Sequence, residues 1–152
     1  CIRDRSTVTN DSNSIPVLYM KRSVEEVQRV ANSREIEAVV TKYGGVSIDI
    51  ASLTYTEKLS IISKCKILIV EGSGVTNALL FSRYSCHVII LSAEETRTEI
   101  SFAIGGWLYS ALLGNNISIV ESVGKKIQNN SPVGCYKYPK FEVEKAIRGN
   151  LS

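Results

Sequence analysis

The segment Glu71-Gly72-Ser73-Gly74-Val75-Thr76-Asn77 holds the densest set of residues able to do chemistry, and it follows directly on the apolar run 67–70. Glycine has no Cβ, so Gly72 and Gly74 let the backbone approach a ligand closely. A helix opening just after them aims free N–H groups and a partial positive charge at that ligand. The chemistry that fits is the binding of a phosphate or diphosphate; the same spacing also suits a tight strand-to-helix turn that binds nothing. Three better-defined motifs do not match. A dinucleotide fingerprint needs a third glycine where Asn77 stands, and it belongs after the first strand. A Walker loop needs Gly-Lys followed by Ser or Thr, a tripeptide that does not occur in the chain. A nucleophile elbow needs glycine two places before the serine, where this chain has Glu71. Ser73 therefore reads as a phosphate contact and not as a nucleophile. Thr76 and Asn77 fall in the first helical turn, where a hydroxyl and an amide reach the same ligand.

Other polar groups are placed less distinctively. Lys21-Arg22 closes the first apolar run, and a guanidinium there can hold a phosphate through two parallel N–H bonds. A solvated pair at a strand end looks the same. Arg29, Asn32 and Glu35 form a second group, in which Asn32 with Glu35 three residues ahead is most simply a helix N-cap with its reciprocal partner; ligand contact is the alternative. Lys125, Lys126, Lys137 and Lys140 lie in a stretch expected to be a solvated loop, with Tyr136 and Tyr138 among them placed to touch a base or sugar. His87, the single histidine, stands at the mouth of an apolar run and reads as a packed side chain. The four cysteines, Cys1, Cys65, Cys86 and Cys135, contain no CxxC pair, so no metal site is expected. Cys65 and Cys86 each precede an apolar run; a disulfide requires those runs to be neighbours, and reduced thiols are the simpler expectation.

The elements that must carry these residues follow from periodicity. A chain of 152 residues with 44% hydrophobic and 22% charged residues suits one soluble domain with a real core. The charge balance, 18 basic against 15 acidic for a net +3, permits an anionic ligand without indicating a nucleic-acid coat. No apolar run reaches the ~18 residues of a membrane span. Residues 1–14 are polar and read as a linker or frayed terminus, leaving 15–152 as the folded unit. Apolar runs at 15–20, 46–50, 67–70, 88–91 and 117–120 read as strands, with Val46, Ile48 and Ile50 expected to face inward. Helical stretches are expected from Ser23, from Ser33 with Ile36, Val39 and Val40 on one side, from a capping box of Thr54 and Glu57, after Asn77, over residues 100–112 and over 141–151. Gly44-Gly45 is expected to end the helix that starts at Ser33. Strands alternating with helices predict an α/β fold, a doubly wound parallel sheet of about five strands with helices on both faces. The economical strand orders are 2-1-3-4-5 and 3-2-1-4-5, and such sheets bind ligands beyond the carboxyl ends of the strands. In the first order Lys21-Arg22 and the glycine loop flank one crevice.

The succession Tyr19-Met20-Lys21-Arg22, Arg29-x-x-Asn32-x-x-Glu35, Thr56-Glu57 and Glu71-Gly72-Ser73-Gly74-Val75-Thr76-Asn77-Ala78-Leu79-Leu80-Phe81 resembles glycosyltransferase family 61 over roughly residues 15–121. The resemblance implies the C-terminal, Rossmann-like lobe of a two-lobed GT-B enzyme. It implies that this lobe binds a nucleotide-diphosphate sugar, a UDP-sugar first, while a glycan or polysaccharide acceptor sits on an N-terminal lobe and transfer proceeds with inversion. Lys21, Arg22, Gly72, Ser73, Gly74, Thr76 and Asn77 are then the donor- and phosphate-binding positions, with Arg29, Asn32 and Glu35 secondary. Two positions depart from the family pattern: Glu71 stands where many members carry His, and Lys58 where Gln is common. A carboxylate beside a diphosphate must be protonated, bridged by a metal or turned toward a hydroxyl. The general base is expected from the other lobe, Glu71 being the only local candidate for acid–base work. A degenerate or non-catalytic nucleotide-binding module of the same fold is the alternative. A bacterial cytoplasmic setting is expected; sequons at Asn10, Asn116, Asn129 and Asn150 would suit the Golgi or ER lumen instead.

Overall fold

Four consecutive aliphatic residues, Ile67-Leu68-Ile69-Val70, leave no polar side for water, so their strand needs cover on both faces. A computed structural model of the chain, describing residues 14–22, 29–71, 86–93, 116–127 and 135–151, shows how that cover is supplied. Strand β3 (Cys65–Glu71) lies in the middle of a five-stranded sheet with β1 (Ile15–Lys21), β2 (Val46–Asp49), β4 (His87–Ser92) and β5 (Ile117–Glu121). The order is β2-β1-β3-β4-β5 and every pairing is parallel. Of the two expected orders, the sheet adopts 2-1-3-4-5.

The period of two along each strand sorts the side chains onto two cores. Val17 and Tyr19 of β1, Ile67 and Ile69 of β3, and Ile89 and Leu91 of β4 face one side. There they meet Ile36, Val39 and Val40 of helix α1 (Ser33–Lys42) and Val143 and Ile147 of helix α3 (Lys140–Asn150). Leu18, Met20, Leu68, Val70, Val88 and Ile90 face the other side, against Ile62 of helix α2 (Tyr55–Ile62). Each fully buried Leu or Ile contributes on the order of 2 kcal/mol, and both cores draw on the same three strands.

Helix α1 ends as its glycines dictate. Gly44 adopts φ +70, a conformation that a side chain disfavours, and donates to the Thr41 carbonyl at 3.0 Å. Gly45 donates to the Val40 carbonyl at 3.0 Å, which completes the two-bond glycine stop. Helix α2 opens with the expected capping box of Thr54 and Glu57. Lys42 and Tyr43 at the end of α1 both reach Glu144 of α3, at 2.6 and 3.0 Å, and tie the two helices together.

Three expectations need correction. The stretch 122–140 is not simply a loop: β6 (Val123–Ile127) and β7 (Cys135–Lys137) form an antiparallel pair. Tyr136 and Tyr138 are buried in the α1 and α3 core and not offered to a ligand: Ala31 donates to the Tyr136 carbonyl at 2.7 Å, Tyr136 donates to that of Arg29 at 2.8 Å, and the Asn32 amide holds the Tyr138 backbone. Ile48 and Ile50 pack against the second core as expected, Ile50 from a 3-10 turn at Ile50–Ser52, but Val46, on the same face of an edge strand, is left 45% exposed and not buried. Cys65 on β3 and Cys86 just ahead of β4 come together with their sulfurs 3.6 Å apart, and both are buried reduced thiols, the simpler of the two expectations. The helical stretches expected from Ser23, after Asn77 and over 100–112 lie outside the described residues. Among the described residues no helix is long and apolar enough to cross a membrane.

Candidate functional site

Strand order 2-1-3-4-5 places the reversal of winding between β1 and β3, so the crevice at their carboxyl ends is where a doubly wound sheet receives a ligand. Three charged residues leave the sheet there. Glu71 is the last residue of β3, and Lys21 and Arg22 stand at and just beyond the end of β1. Glu71 follows Ile67 and Ile69 at period two, so its carboxyl lies on the same side of the sheet as Tyr19, α1 and α3.

Glu71 is only 3% exposed. The buried Tyr19 hydroxyl donates to its Oε1 at 2.9 Å, and the Arg22 backbone N–H faces the same carboxyl. Glu71 Oε2 is buried with no hydrogen-bond partner among the described residues. Burial pushes the Glu71 pKa up to about 7, against the pull of the Tyr19 hydroxyl and of the Arg22 and Arg29 charges. Burial first, and the Glu71 charge next, hold the Tyr19 phenol well above its ordinary range. Burial lowers the Arg22 pKa and repulsion from Arg29 adds to it, while Glu71 opposes both. The described ion pairs are Lys21–Glu37, Lys42–Glu144 and Lys145–Glu142; neither Arg22 nor Arg29 is in one of them.

A line of hydroxyls leads away from Glu71. Tyr19 Oη lies 3.4 Å from Ser33 Oγ, which donates to Glu37 Oε1 at 3.1 Å, and Lys21 Nζ donates to the same oxygen at 3.0 Å. Lys21 is thus turned toward α1 and engaged by Glu37, away from its expected place on a phosphate. Arg22 and Arg29, by contrast, act electrostatically on one another and on Glu71 at the carboxyl end of β3. Tyr19, Ser33 and Glu37 belong to this network and were not candidates by sequence. The available signal was Tyr19, a polar hydroxyl inside an otherwise aliphatic strand.

Asn32 occupies the N-cap position of α1 but makes no side-chain capping bond. Its amide pairs with the backbone of Tyr138 instead: Nδ2 donates to the Tyr138 carbonyl at 2.7 Å and Oδ1 accepts from the Tyr138 N–H at 2.9 Å. A buried backbone segment requires both partners, and that demand outweighs one orphan N–H at the helix end. Glu35 accepts from Asn32 Nδ2 at 3.2 Å, so the expected reciprocal cap is replaced by a side-chain pair. Ala31, Asn32, Ser33, Arg34 and Glu35 line a cleft of about 420 Å³ with Ile127 and Lys137 of the β6–β7 pair. Gly72, Ser73, Gly74, Thr76 and Asn77 lie outside the described residues.

His87 bonds Ser118 Oγ through Nε2 at 2.8 Å, at the amino end of β4 and β5, the opposite edge of the sheet from the crevice. Burial lowers its pKa. Among the described residues no three His, Cys, Asp or Glu side chains gather to hold a metal ion. Comparison of the sequence with protein-family models and with curated proteins finds no match.

Proposed function

We propose that this chain is the donor-binding lobe of an inverting glycosyltransferase, and that the crevice between β1 and β3 receives the diphosphate of a nucleotide sugar, a UDP-sugar first. The observation that carries the reading is the pair Arg22 and Arg29, whose charges act on Glu71 at the switch point of a 2-1-3-4-5 sheet and whose guanidinium groups stand outside every described ion pair. A diphosphate supplies the negative charge that pair lacks, and guanidinium groups hold phosphate oxygens through paired N–H bonds. The resemblance of the loop that follows Glu71 to family 61 adds the glycines and Thr76-Asn77 as further donor contacts.

Transfer on this reading begins when an acceptor hydroxyl loses its proton to a base on the acceptor lobe. The oxygen attacks the anomeric carbon from the face opposite the diphosphate, the old C–O bond breaks, and the leaving diphosphate gathers charge. Arg22 and Arg29 stabilise that charge as it develops. No metal is required by the reading. Lys21, paired with Glu37, is assigned to shaping α1 against β1 and not to the phosphate. A bacterial cytoplasm suits the free thiols, with a Golgi or ER lumen as the alternative.

Calorimetric titration with a panel of UDP- and GDP-sugars, on a protein that also carries the acceptor lobe, tests the proposal. Binding of at least one donor is expected, with Arg22→Ala and Arg29→Ala each weakening it about tenfold to a hundredfold, the range of a charged hydrogen bond. Silence across the whole panel sinks it. A protein that binds donors yet transfers no sugar to any acceptor belongs instead to the non-catalytic reading, which Glu71 at the mouth of the loop favours.

A further inference from the structure

Glu71 raises a difficulty for any anion in this crevice. A carboxylate at the end of β3 repels a phosphate that approaches Arg22 and Arg29, and it also competes for their charge. The geometry answers the difficulty with a proton. Glu71 Oε1 already accepts from Tyr19 at 2.9 Å, while Oε2 is buried and has no partner among the described residues. A proton on Oε2 removes the negative charge and turns an unsatisfied acceptor into an O–H donor free for an anion's oxygen. The hydroxyl line offers a second seat. A proton on Oε1 donates to Tyr19, whose own O–H then turns to Ser33 Oγ, 3.4 Å away, while Ser33 continues to donate to Glu37. The second arrangement leaves every hydrogen in that line with an acceptor, and the first leaves the Oε2 hydrogen for the anion.

We infer that the crevice binds an anion and a proton together: an anion on Arg22 and Arg29 draws a proton onto Glu71, and protonated Glu71 strengthens the hold on the anion. The inference rests on the anion-binding part of the proposed function and adds its regulation by pH.

The groups that face Glu71 leave it as the one that responds. Tyr19 from β1, and Tyr138 and Cys135 from the β7 end, are all held above their ordinary ranges, by burial first and the Glu71 charge next, so they stay neutral through the physiological range. Arg22 and Arg29 supply the positive charge, and Glu37 of α1 is engaged by Lys21 and Ser33. Glu71 itself, at about 7, is poised where the coupling can be read. Because linkage is reciprocal, the factor by which the anion favours protonated Glu71 equals the factor by which the proton favours the anion.

Sulfate is the probe, because its charge does not change near neutral pH. The Glu71 carboxyl is titrated by carbon-13 NMR in the wild-type protein, assigned with Glu71→Gln, in sodium sulfate and in sodium chloride of equal ionic strength; Arg22 and Arg29 Nε–H shifts report occupancy. The expected result is saturable movement of the arginine signals and a Glu71 midpoint about one pH unit higher in sulfate, with sulfate about tenfold weaker at high than at low pH. Glu71→Gln is expected to bind sulfate with no such pH dependence. Sulfate that saturates the arginines while the Glu71 midpoint stays fixed overturns the coupling and leaves the anion site standing. Arginine signals that never saturate overturn both. Coupling with sulfate alongside silence from every nucleotide sugar upholds the inference and removes the donor assignment.

Discussion

Glu71 makes the fold itself sensitive to pH, apart from any ligand. Its carboxyl titrates at about 7 in the folded protein against 4.5 in an unfolded chain, so between those values the folded state binds more protons. Stability must then fall as pH rises through that window. The contribution of neutral Glu71 is fully present below pH 4.5 and lost above about 7, and the difference is on the order of 3 kcal/mol. Glu71→Gln keeps an acceptor for the Tyr19 hydroxyl and cannot ionise. Its urea midpoint is expected to lie near the wild-type value at low pH and well above it on the alkaline side. A wild-type midpoint that does not decline through neutrality, relative to the variant, would show that Glu71 is solvated or already charged at low cost.

Asn32 works at the same scale through shape. Its amide presents one donor and one acceptor to the two backbone groups of Tyr138, at 2.7 and 2.9 Å. Asn32→Ala strands both groups in a buried place, at about 1–3 kcal/mol each, and Asn32→Asp is expected to be nearly as harmful because a carboxylate cannot donate to the Tyr138 carbonyl. Thermal unfolding of the two variants checks this. If Asn32→Asp matches wild type while Asn32→Ala does not, helix capping is the residue's role after all.

Among the elements, what could be read from the sequence followed from local chemistry. Thr54 with Glu57 specified a helix start, Gly44-Gly45 a helix end and residues 67–70 a doubly covered strand, since at these positions no described tertiary partner competes with the short-range demand. The β6–β7 pair was not legible because its signals are tertiary: Tyr136 and Tyr138 read as loop residues among lysines until Arg29 and Ala31 supply backbone partners for Tyr136 and the Asn32 amide supplies them for Tyr138. The site divides the same way. Arg22 and the special position of Glu71 were visible as residue types at strand ends, whereas the turning of Lys21 to the Glu37 side chain and of Asn32 to the Tyr138 backbone depends on partners that lie 16 and 106 residues away. Gly45 shows how tightly local sequence can be held by packing. A Cβ there would stand 2.5 Å from the Val17 carbonyl oxygen and 2.7 Å from Val40 Cγ1. Gly45→Ala therefore forces α1 off β1 and is expected to cost about 1–3 kcal/mol in denaturant unfolding. Gly149 meets nothing within 4 Å. Gly149→Ala, in α3, is expected to be neutral or stabilising by up to about 1 kcal/mol, and a loss as large as that at Gly45 would contradict the packing account.

At the scale of the whole molecule, the two cores are not independent, because β1, β3 and β4 contribute alternate residues to each. Stripping α2 from one face exposes Leu68 and Val70 of the strand whose Ile67 and Ile69 anchor the other. Strand β3 is also paired along both sides, with β1 and β4, whereas β2 and β5 each have a single described neighbour in the sheet. The amides of β3 should then exchange with solvent only through global unfolding, and those of β2 and β5 through smaller openings as well. Truncation on either face tests whether the molecule is one cooperative unit. Ile36→Ala removes bulk from the α1 side and Ile62→Ala from the α2 side, each at about 2–5 kcal/mol. In a single unit both substitutions lower the protection of the β3 amides by the full loss measured in denaturant unfolding. Native-state hydrogen exchange that finds β3 untouched by Ile62→Ala, while denaturant reports the loss, would mean that the α2 face opens by itself and that the crevice rests on the α1 and α3 core alone.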